Sequence, residues 1–144
     1  MTLLGPAVQN ARILDLFAGS GALGLEALSR GAQSCDFVEN HPSALHALKA
    51  NVAALRLRNR ARVFDRDAIQ FAERLETDSY DITLADPPYG SRKLDRVIDR
   101  WLAIPFSGLL CIEHAPDHVL PQKGRSLRVG DSVVTLLQKT NGTR

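Results

Sequence analysis

Apolar runs of strand length alternate along the chain with segments in which apolar residues recur at helical spacing. The runs predict five strands, at residues 12–17, 34–39, 62–65, 81–85 and 108–113. Most of these runs are continuously apolar, which is typical of strands that are covered on both faces. Strands that alternate with helices are typical of βαβ units, so the pattern predicts an α/β fold with a doubly wound, mostly parallel sheet.

Four helices are predicted between these strands. The first begins near Ala22 and stops at Gly31, the second opens at Pro42, and the third follows Asp67, a residue type that caps helix N-termini well. The fourth is indicated by apolar residues at i, i+3, i+4, i+7 and i+8, which are expected to bury one side: Leu94, Val97, Ile98, Trp101 and Leu102.

The alternation ends after the fifth strand. Pro116, Pro121 and Gly124 interrupt the chain before two closing strands, at residues 126–129 and 132–138, which no helix separates. Strands joined so closely are expected to be antiparallel, which places a mixed edge on the sheet. We interpret residues 1–144 as one domain, with the first five strands in the order 3-2-1-4-5.

Composition narrows the class of protein without identifying it. The 144 residues are 44% hydrophobic and 24% charged, as in a soluble globular protein. No apolar run of about 18 residues and no basic leader are present, so a cytoplasmic location without membrane contact is expected. The net charge of +2 is too small to indicate a nucleic-acid partner by itself. Cys35 and Cys111 have no metal or redox spacing and are interpreted as free, buried thiols.

Two groups of polar residues are interpreted as lying outside any site. The segment between the second helix and the third strand carries four arginines: Arg56, Arg58, Arg60 and Arg62. In a doubly wound sheet, ligands bind at the carboxyl ends of the strands, and this segment lies at the opposite edge. These arginines are expected to form a solvated surface. His114 and His118 have i, i+4 spacing, but the intervening proline argues against a helix that presents both to a metal, so no metal site is expected.

A glycine-rich segment follows the first strand. Residues 15–24 read DLFAGSGALG, a G-x-G-x-x-G run between a strand and a helix. Such glycines allow a tight turn and close approach to a ligand, and the helix N-terminus offers free N–H groups. Glu39 ends the next strand, 20 positions after Gly19, where a carboxylate accepts hydrogen bonds from ribose hydroxyls. The segment predicts a cofactor that contains a nucleoside, with NAD not excluded.

A second motif, Asp86-Pro87-Pro88-Tyr89, follows the fourth strand. The expected strand order places it beside the glycine turn, at the point where the winding of the sheet reverses. An amino group on a nucleic-acid base is a poor nucleophile, and two acceptors, the Asp86 carboxylate and the Pro87 carbonyl, would orient its lone pair toward an electrophilic methyl group. Tyr89 would stack on the base. The motif favours amine methylation over the hydride transfer of an NAD-dependent oxidoreductase.

These motifs resemble the RsmD family. The resemblance rests on residues 15–31, on Val38-Glu39, on Asp67-Ala68 and on the Asp86 motif, and it extends from about Arg12 to Lys139. It implies a Rossmann-like class I methyltransferase that uses S-adenosyl-L-methionine and modifies N2 of a guanine in 16S ribosomal RNA. The implied partner is ribosomal RNA or the small ribosomal subunit, and a monomer is expected.

The resemblance also implies roles for individual residues. Glu39 would bind the ribose, Asp67 and Ala68 would flank the adenine, and Asp86, Pro87 and Tyr89 would act on the target base. The full set assigned to the cofactor is Asp15, Phe17, Gly19, Ser20, Gly21, Glu39, Asp67 and Ala68. Basic residues after the Asp86 motif are candidates for phosphate contact: Arg92, Lys93 and Arg96.

The chain departs from the family at its start. Eleven residues precede the first strand here, whereas members of the family carry several dozen more, including a basic arm. We therefore expect either a start inside a longer reading frame or a shortened relative with impaired substrate binding. Two alternatives stay open at this stage: methylation of adenine N6 or cytosine N4 in DNA, and a cofactor-binding remnant without turnover.

Overall fold

Seven strands and four α-helices organise the part of the chain that the structure describes. The computed structural model describes residues 3–88 and 90–140. The strands are β1 (Arg12–Leu16), β2 (Ser34–Glu39), β3 (Ala61–Asp65), β4 (Tyr80–Ala85), β5 (Ser107–His114), β6 (Arg125–Val129) and β7 (Ser132–Gln138). The helices are α1 (Ala22–Ser29), α2 (Pro42–Ala54), α3 (Ala68–Glu73) and α4 (Lys93–Ala103), with a short 3-10 helix at Gly5–Val8.

The strands form one mixed sheet in the order β3-β2-β1-β4-β5-β7-β6. The first five are parallel, which confirms the predicted 3-2-1-4-5 order. β7 is antiparallel to both β5 and β6, which confirms the mixed edge. Gly130, with φ +59°, occupies the tight turn between β6 and β7. Because β1 and β4 are neighbours, the turns that follow them lie at the same edge of the sheet.

Each face of the sheet is covered by helices. Alternate residues of β1 point to opposite faces, so Ile13 packs with Leu28 of α1 and Leu48 of α2, whereas Leu14 packs with Ile98 of α4 on the other side. Burial on both faces explains why the strands read as continuous apolar runs. The fold is therefore the predicted doubly wound α/β sheet.

The predicted apolar stripe of α4 is correct for four residues and wrong for the fifth. Leu94, Val97, Ile98 and Trp101 are buried, but Leu102 is 43% exposed. At about 100° of rotation per residue, Leu102 lies about 80° around the helix from Leu94, at the margin of the buried face. No helix among residues 3–88 and 90–140 is long and apolar enough to cross a membrane.

Two of the four arginines predicted to be solvated also have structural roles. The Arg62 guanidinium donates two hydrogen bonds to Asp36, at 2.9 and 2.8 Å, and the Tyr80 hydroxyl donates a third at 2.6 Å. Asp36 is only 4% exposed, so it needs these partners. Arg60 donates to the backbone carbonyls of Leu28 and Ala32. The interpretation as a solvated surface was therefore wrong for Arg60, which is partly buried, whereas Arg62 is 73% exposed as expected and also pairs with Asp36.

Cys35 and Cys111 are both free, as expected. Cys35 lies on β2 and Cys111 on β5, and β1 and β4 separate them. Three strand spacings amount to roughly 14 Å, far beyond the reach of a disulfide. Cys35 is buried, as predicted, whereas Cys111 is only partly buried and lines a small recess of the surface.

Candidate active site at the carboxyl edge of the sheet

The turn between β1 and α1 has an unusual backbone. Phe17, Gly19 and Gly21 have φ values of +58°, +59° and +90°. Phe17 leaves the extended conformation, which explains why β1 ends at Leu16 and not at Phe17 as predicted. The turn is held by backbone hydrogen bonds from Ala18 to the carbonyl of Val38, at 3.1 Å, and from Gly21 to Ala18, at 2.9 Å. The glycine segment thus forms the predicted tight turn into a helix.

The glycines of this segment serve different purposes. A Cβ atom on Gly19 would meet no heavy atom of the described residues within 4 Å, so the backbone there faces open space. A Cβ atom on Gly24 would collide with the Phe37 ring and would lie 2.7 Å from the Cys35 sulfur. Gly24 therefore permits close packing of α1 on β2, whereas Gly19 leaves room for a ligand.

Glu39 connects this turn to the end of β2. Its Oε1 accepts a hydrogen bond from the backbone N–H of Gly19 at 2.8 Å. Its Oε2 accepts hydrogen bonds from the N–H groups of His41, at 2.9 Å, and Asn40, at 3.2 Å. An ionised carboxylate offers about four acceptor positions, so little capacity remains. Sequence reasoning assigned Glu39 to a ribose and missed this role in ordering two loops.

Asp15 lies beneath the turn, inside the protein. It is 2% exposed, and its Oδ2 accepts a hydrogen bond from the Gly24 N–H at 3.1 Å. Burial raises the pKa of Asp15 to about 8, an effect that the Gly24 hydrogen bond opposes and that the charges of Asp86 and Glu39 increase. The structure therefore places Asp15 under the glycine turn and not on the surface of the crevice beside it.

A crevice of about 640 Å³ separates the β1 turn from the loop after β4. Leu16 pairs with Ala85 in the parallel register of β1 and β4, so the residues that follow each of them meet at this crevice. Its lining comprises Phe17, Glu39, Asn40, His41, Asp86, Pro87, Pro88, Lys93 and Glu113. The structure thus brings together Phe17, Glu39, Asp86 and Pro87 of the predicted site residues, whereas Gly19, Ser20 and Gly21 are not part of this lining. Tyr89 lies outside the described residues, and its role stays a prediction.

Glu113 is a residue of the crevice that sequence reasoning missed. It is half-buried and follows Ile112, the partner of Ala85 in the register of β4 and β5, so it is opposite Asp86. Partial burial, and then the charge of Glu113, raise the pKa of Asp86 above its ordinary value. The signal in the sequence that could have identified Glu113 is an acid at the end of the strand that neighbours the Asp86 motif.

The three basic residues after the Asp86 motif have different environments. Lys93 lines the crevice, with its Nζ 6.0 Å from the centre of the Phe17 ring. Arg96 pairs with Glu73 at 3.5 Å, away from the crevice lining. Arg92 is exposed. Among the three, Lys93 is the residue that a substrate phosphate in the crevice would meet.

Asp67 and Ala68 are not part of the crevice lining. Asp67 caps α3 as predicted, because its Oδ2 accepts a hydrogen bond from the Gln70 N–H at 2.9 Å. It lines a separate recess of about 220 Å³ with Arg66, Phe71 and Arg74, while Ala68 is buried. The two residues follow β3, whose Asp65 is paired with Glu39, so they lie one strand beyond the ribose candidate.

The histidines considered as metal ligands have other partners. His114 Nε2 is 2.7 Å from the Thr135 hydroxyl, and His118 Nε2 is 2.7 Å from an Asp95 carboxylate oxygen. In the part of the chain that the structure describes, no group of three or more His, Cys, Asp or Glu side chains is placed to hold a metal ion.

Comparison with known proteins agrees with this geometry. A parallel sheet in this order, with a glycine turn after β1 and an acidic-proline loop after β4, defines a Rossmann-like class I methyltransferase fold. A family model described as "Conserved hypothetical protein 95" matches residues 2–134. The chain belongs to this family, which confirms the resemblance found in its motifs.

Two curated relatives illustrate the family. "Putative rRNA methyltransferase YlbH" of Bacillus subtilis is 39% identical over 139 residues, which cover 92% of this chain and 72% of the relative. "Ribosomal RNA small subunit methyltransferase D" of Escherichia coli is 37% identical over 123 residues, which cover 82% of this chain and 60% of the relative. The chain thus spans about 60% of the length of the Escherichia coli relative.

Solved structures show the same fold. A protein described as "Putative methyltransferase yhhF from Escherichia coli" superposes with a TM-score of 0.83 at 30% identity, covering 96% of this chain and 80% of the other. A 16S rRNA N2 G1207 methyltransferase of T. thermophilus, solved with AdoMet and guanosine, superposes with a TM-score of 0.77. At 23% identity, with 96% of this chain and 40% of the other covered, the second likeness concerns the fold alone.

Proposed function

We propose that this chain is an S-adenosyl-L-methionine-dependent methyltransferase that acts on N2 of a guanine in 16S ribosomal RNA. The observation that carries the proposal is that Phe17, in the turn after β1, and the Asp86-Pro87 loop after β4 line one crevice, at the ends of these adjacent strands. Membership of the family supports it, because curated relatives are named for methylation of small-subunit ribosomal RNA.

The residues at this edge fit S-adenosyl-L-methionine. The open space at Gly19 allows close approach to the backbone, and the acid at the end of β2 is in the position that binds ribose hydroxyls. We assign Phe17, Gly19, Ser20 and Gly21 to the methionine end and Glu39 to the ribose. Asp67 and Ala68 are assigned to the adenine, and Asp15 acts from beneath the turn through Gly24. When bound, the cofactor supplies an electrophilic methyl group.

Asp86 and Pro87 orient the amino group. The lone pair of an aromatic amine is delocalised into the ring, so the nitrogen reacts well only when its hydrogens are held out of the ring plane. The Asp86 carboxylate accepts one N–H and the Pro87 carbonyl accepts the other, which directs the lone pair toward the glycine turn. Tyr89 is assigned to stack on the base. Lys93 contacts a phosphate of the RNA backbone.

The proposed partner is small-subunit ribosomal RNA, either free or within the small ribosomal subunit. RNA recognition of this kind targets single-stranded or unstacked bases, because an amine inside a duplex cannot reach a crevice of this shape. We further propose that the protein acts as a monomer in the cytoplasm, where this RNA is found.

The experiment measures transfer of a radiolabelled methyl group to three substrates in parallel: 16S ribosomal RNA, small ribosomal subunits and DNA. We expect label in RNA that is recovered as N2-methylguanosine on nucleoside analysis. Label recovered as N6-methyladenine or N4-methylcytosine from DNA would overturn the proposal. Calorimetry with S-adenosyl-L-methionine and with NAD is the companion measurement, and equal or tighter binding of NAD would overturn the assignment of the cofactor.

A further inference from the structure

We propose that Glu113 determines base specificity by accepting the N1–H hydrogen of guanine, beside the 2-amino group that Asp86 holds. This inference rests on the proposed function, because it assigns a further residue to the same crevice. It identifies the feature of the base that distinguishes guanine from the other bases with exocyclic amines.

The position of Glu113 is the first support. In the register of β4 and β5, Ala85 is opposite Ile112, and the next residue of each strand enters the crevice. Those residues are Asp86 and Glu113. Parallel strands are about 4.8 Å apart, so the two carboxylates are within the span of one edge of a base.

The second support is that, among the residues that the structure describes, none uses either carboxylate as a partner. Within residues 3–88 and 90–140, Asp86 and Glu113 accept no hydrogen bond and form no ion pair. Three acids of the neighbouring strands have partners instead: Asp15 with Gly24, Asp36 with Arg62, and Asp81 with Arg12. Lys93 shares the crevice but lies beyond ion-pair distance of both carboxylates. A pair of unused acceptors at one site indicates a ligand with two adjacent donors.

Guanine presents such a pair, and the rival bases do not. On its Watson–Crick edge the N1–H donor stands directly beside the 2-amino group. In adenine and cytosine, the ring nitrogen next to the amine carries a lone pair. An ionised carboxylate only accepts hydrogen bonds, so Glu113 would attract guanine N1–H and repel the lone pair of adenine or cytosine. A site that hydrogen-bonds an N–H group rejects analogues without it because its own polar group is left unpaired.

The test compares two short single-stranded RNAs that differ at one base. One carries a single guanine, and the other carries 2-aminopurine, which keeps the 2-amino group but has a lone pair at N1. Equilibrium binding of each RNA is measured in the presence of S-adenosylhomocysteine, for the full chain and for its Glu113→Gln variant. Glu76→Gln is the matched control, because Glu76 is exposed and lies outside the crevice.

We expect the parent chain and Glu76→Gln to prefer the guanine RNA by about 10- to 100-fold, the usual discrimination of a well-placed hydrogen-bonding pair. Glu113→Gln should lose most of this preference, since its amide offers a donor to the lone pair of 2-aminopurine. 2-Aminopurine also lacks the guanine O6, so the change in preference between variants, and not the preference itself, reports on Glu113. Glu113→Asp keeps a carboxylate and should keep part of the preference.

Three results would overturn the inference: equal binding of both RNAs by the parent chain, no binding of either, or an unchanged preference in Glu113→Gln. Urea unfolding shows whether each variant is folded, and Glu113→Ala, which also removes the carboxylate, replaces Glu113→Gln if the latter fails this control. Because binding is measured without turnover, the result is independent of the methyl-transfer assay. Loss of the guanine preference without any methyl transfer would support Glu113 as a guanine contact and count against the proposed function.

Discussion

The Oε1 atom of Glu39 lies 2.8 Å from the backbone nitrogen of Gly19 and accepts its hydrogen bond. The acid at the end of β2 therefore holds the glycine turn that follows β1, in addition to facing the crevice. The same carboxylate also accepts hydrogen bonds from the N–H groups of Asn40 and His41. One side chain thus orders both loops against which the cofactor is proposed to bind. Glu39 therefore affects cofactor binding in two ways, through its contact with the ribose and through the order that it gives to these loops.

Two replacements of Glu39 separate the ribose contact from the ordering of the loops. Glu39→Ala removes every acceptor and should weaken S-adenosyl-L-methionine binding by about 10- to 100-fold, the usual worth of hydrogen bonds to a charged group. Glu39→Gln keeps one oxygen acceptor for the Gly19 N–H and should lose less. Calorimetry measures both, and Glu76→Ala, an exposed acid away from the crevice, is the control. Unchanged affinity in Glu39→Ala would contradict the assignment.

Asp15 predicts how stability changes with pH. Burial raises its pKa from an ordinary value of 3.8 to about 8 in the folded protein. The folded state therefore holds a proton that the unfolded state has released between these pH values. The contribution of Asp15 to stability is fully present below the unfolded pKa and is lost as pH rises through the folded pKa. Between the two pKa values, the loss amounts to about 1.4 kcal/mol for each pH unit.

The measurement compares the parent chain with Asp15→Asn by urea unfolding between pH 5 and 8.5, in steps of about half a pH unit. Asparagine does not ionise, and its side-chain oxygen accepts the Gly24 hydrogen bond. All other titrating groups are common to both proteins, so the difference in unfolding free energy isolates Asp15. We expect Asp15→Asn to gain stability relative to the parent as pH rises. Parallel pH profiles would show that Asp15 titrates as an ordinary acid.

Arg62 is expected to matter for stability and not for RNA binding. Arg62→Ala leaves the buried Asp36 carboxylate with the Tyr80 hydroxyl as its remaining partner. Arg62 itself is largely exposed, so solvent moderates the loss, and we expect destabilisation of about 1–2 kcal/mol. Arg58→Ala, an exposed position on the same segment, should change stability by less than about 0.5 kcal/mol. Equal effects of the two substitutions in urea unfolding would contradict this role.

The sheet and the crevice were predictable because periodic apolar runs and two motifs determine them. The strand order follows from the winding rule once five parallel strands are recognised, and this order places Asp86 beside the glycine turn. The boundary of β1 was less predictable, since an apolar residue such as Phe17 continues the pattern while its backbone has already turned to φ +58°.

Contacts between residues distant in the chain were not predictable from pattern alone. The Arg62–Asp36 pair depends on the register of β2 with β3. The sequence did not identify Glu113 as a site residue because it is a lone acid at the end of an apolar run, without a motif around it. Its significance comes from being opposite Asp86, a relationship that requires the register of β4 and β5.

Asp86 provides the prediction that separates chemistry from cofactor binding. Asp86→Ala should reduce methyl transfer by about 10²- to 10³-fold, the usual cost of losing one preorganised polar contact at a reacting centre. The loss is expected in kcat and kcat/KM together, because the amine is misoriented as well as less tightly held. Affinity for S-adenosyl-L-methionine should stay within a few-fold, since the contacts of the Gly19 turn and Glu39 remain.

Partial burial and the neighbouring Glu113 charge raise the pKa of Asp86, so its carboxylate becomes protonated at a higher pH than an ordinary aspartate. A protonated Asp86 no longer serves as an acceptor-only group for the amine. Methyl transfer by the parent chain should therefore decrease on the acid side, and Glu113→Gln, which removes the neighbouring charge, should move this decrease to lower pH. Steady-state rates of methyl transfer across the acid range measure this shift, and calorimetry shows whether each variant still binds the cofactor. Full methyl transfer by Asp86→Ala would contradict the assigned mechanism even if the cofactor binds as proposed.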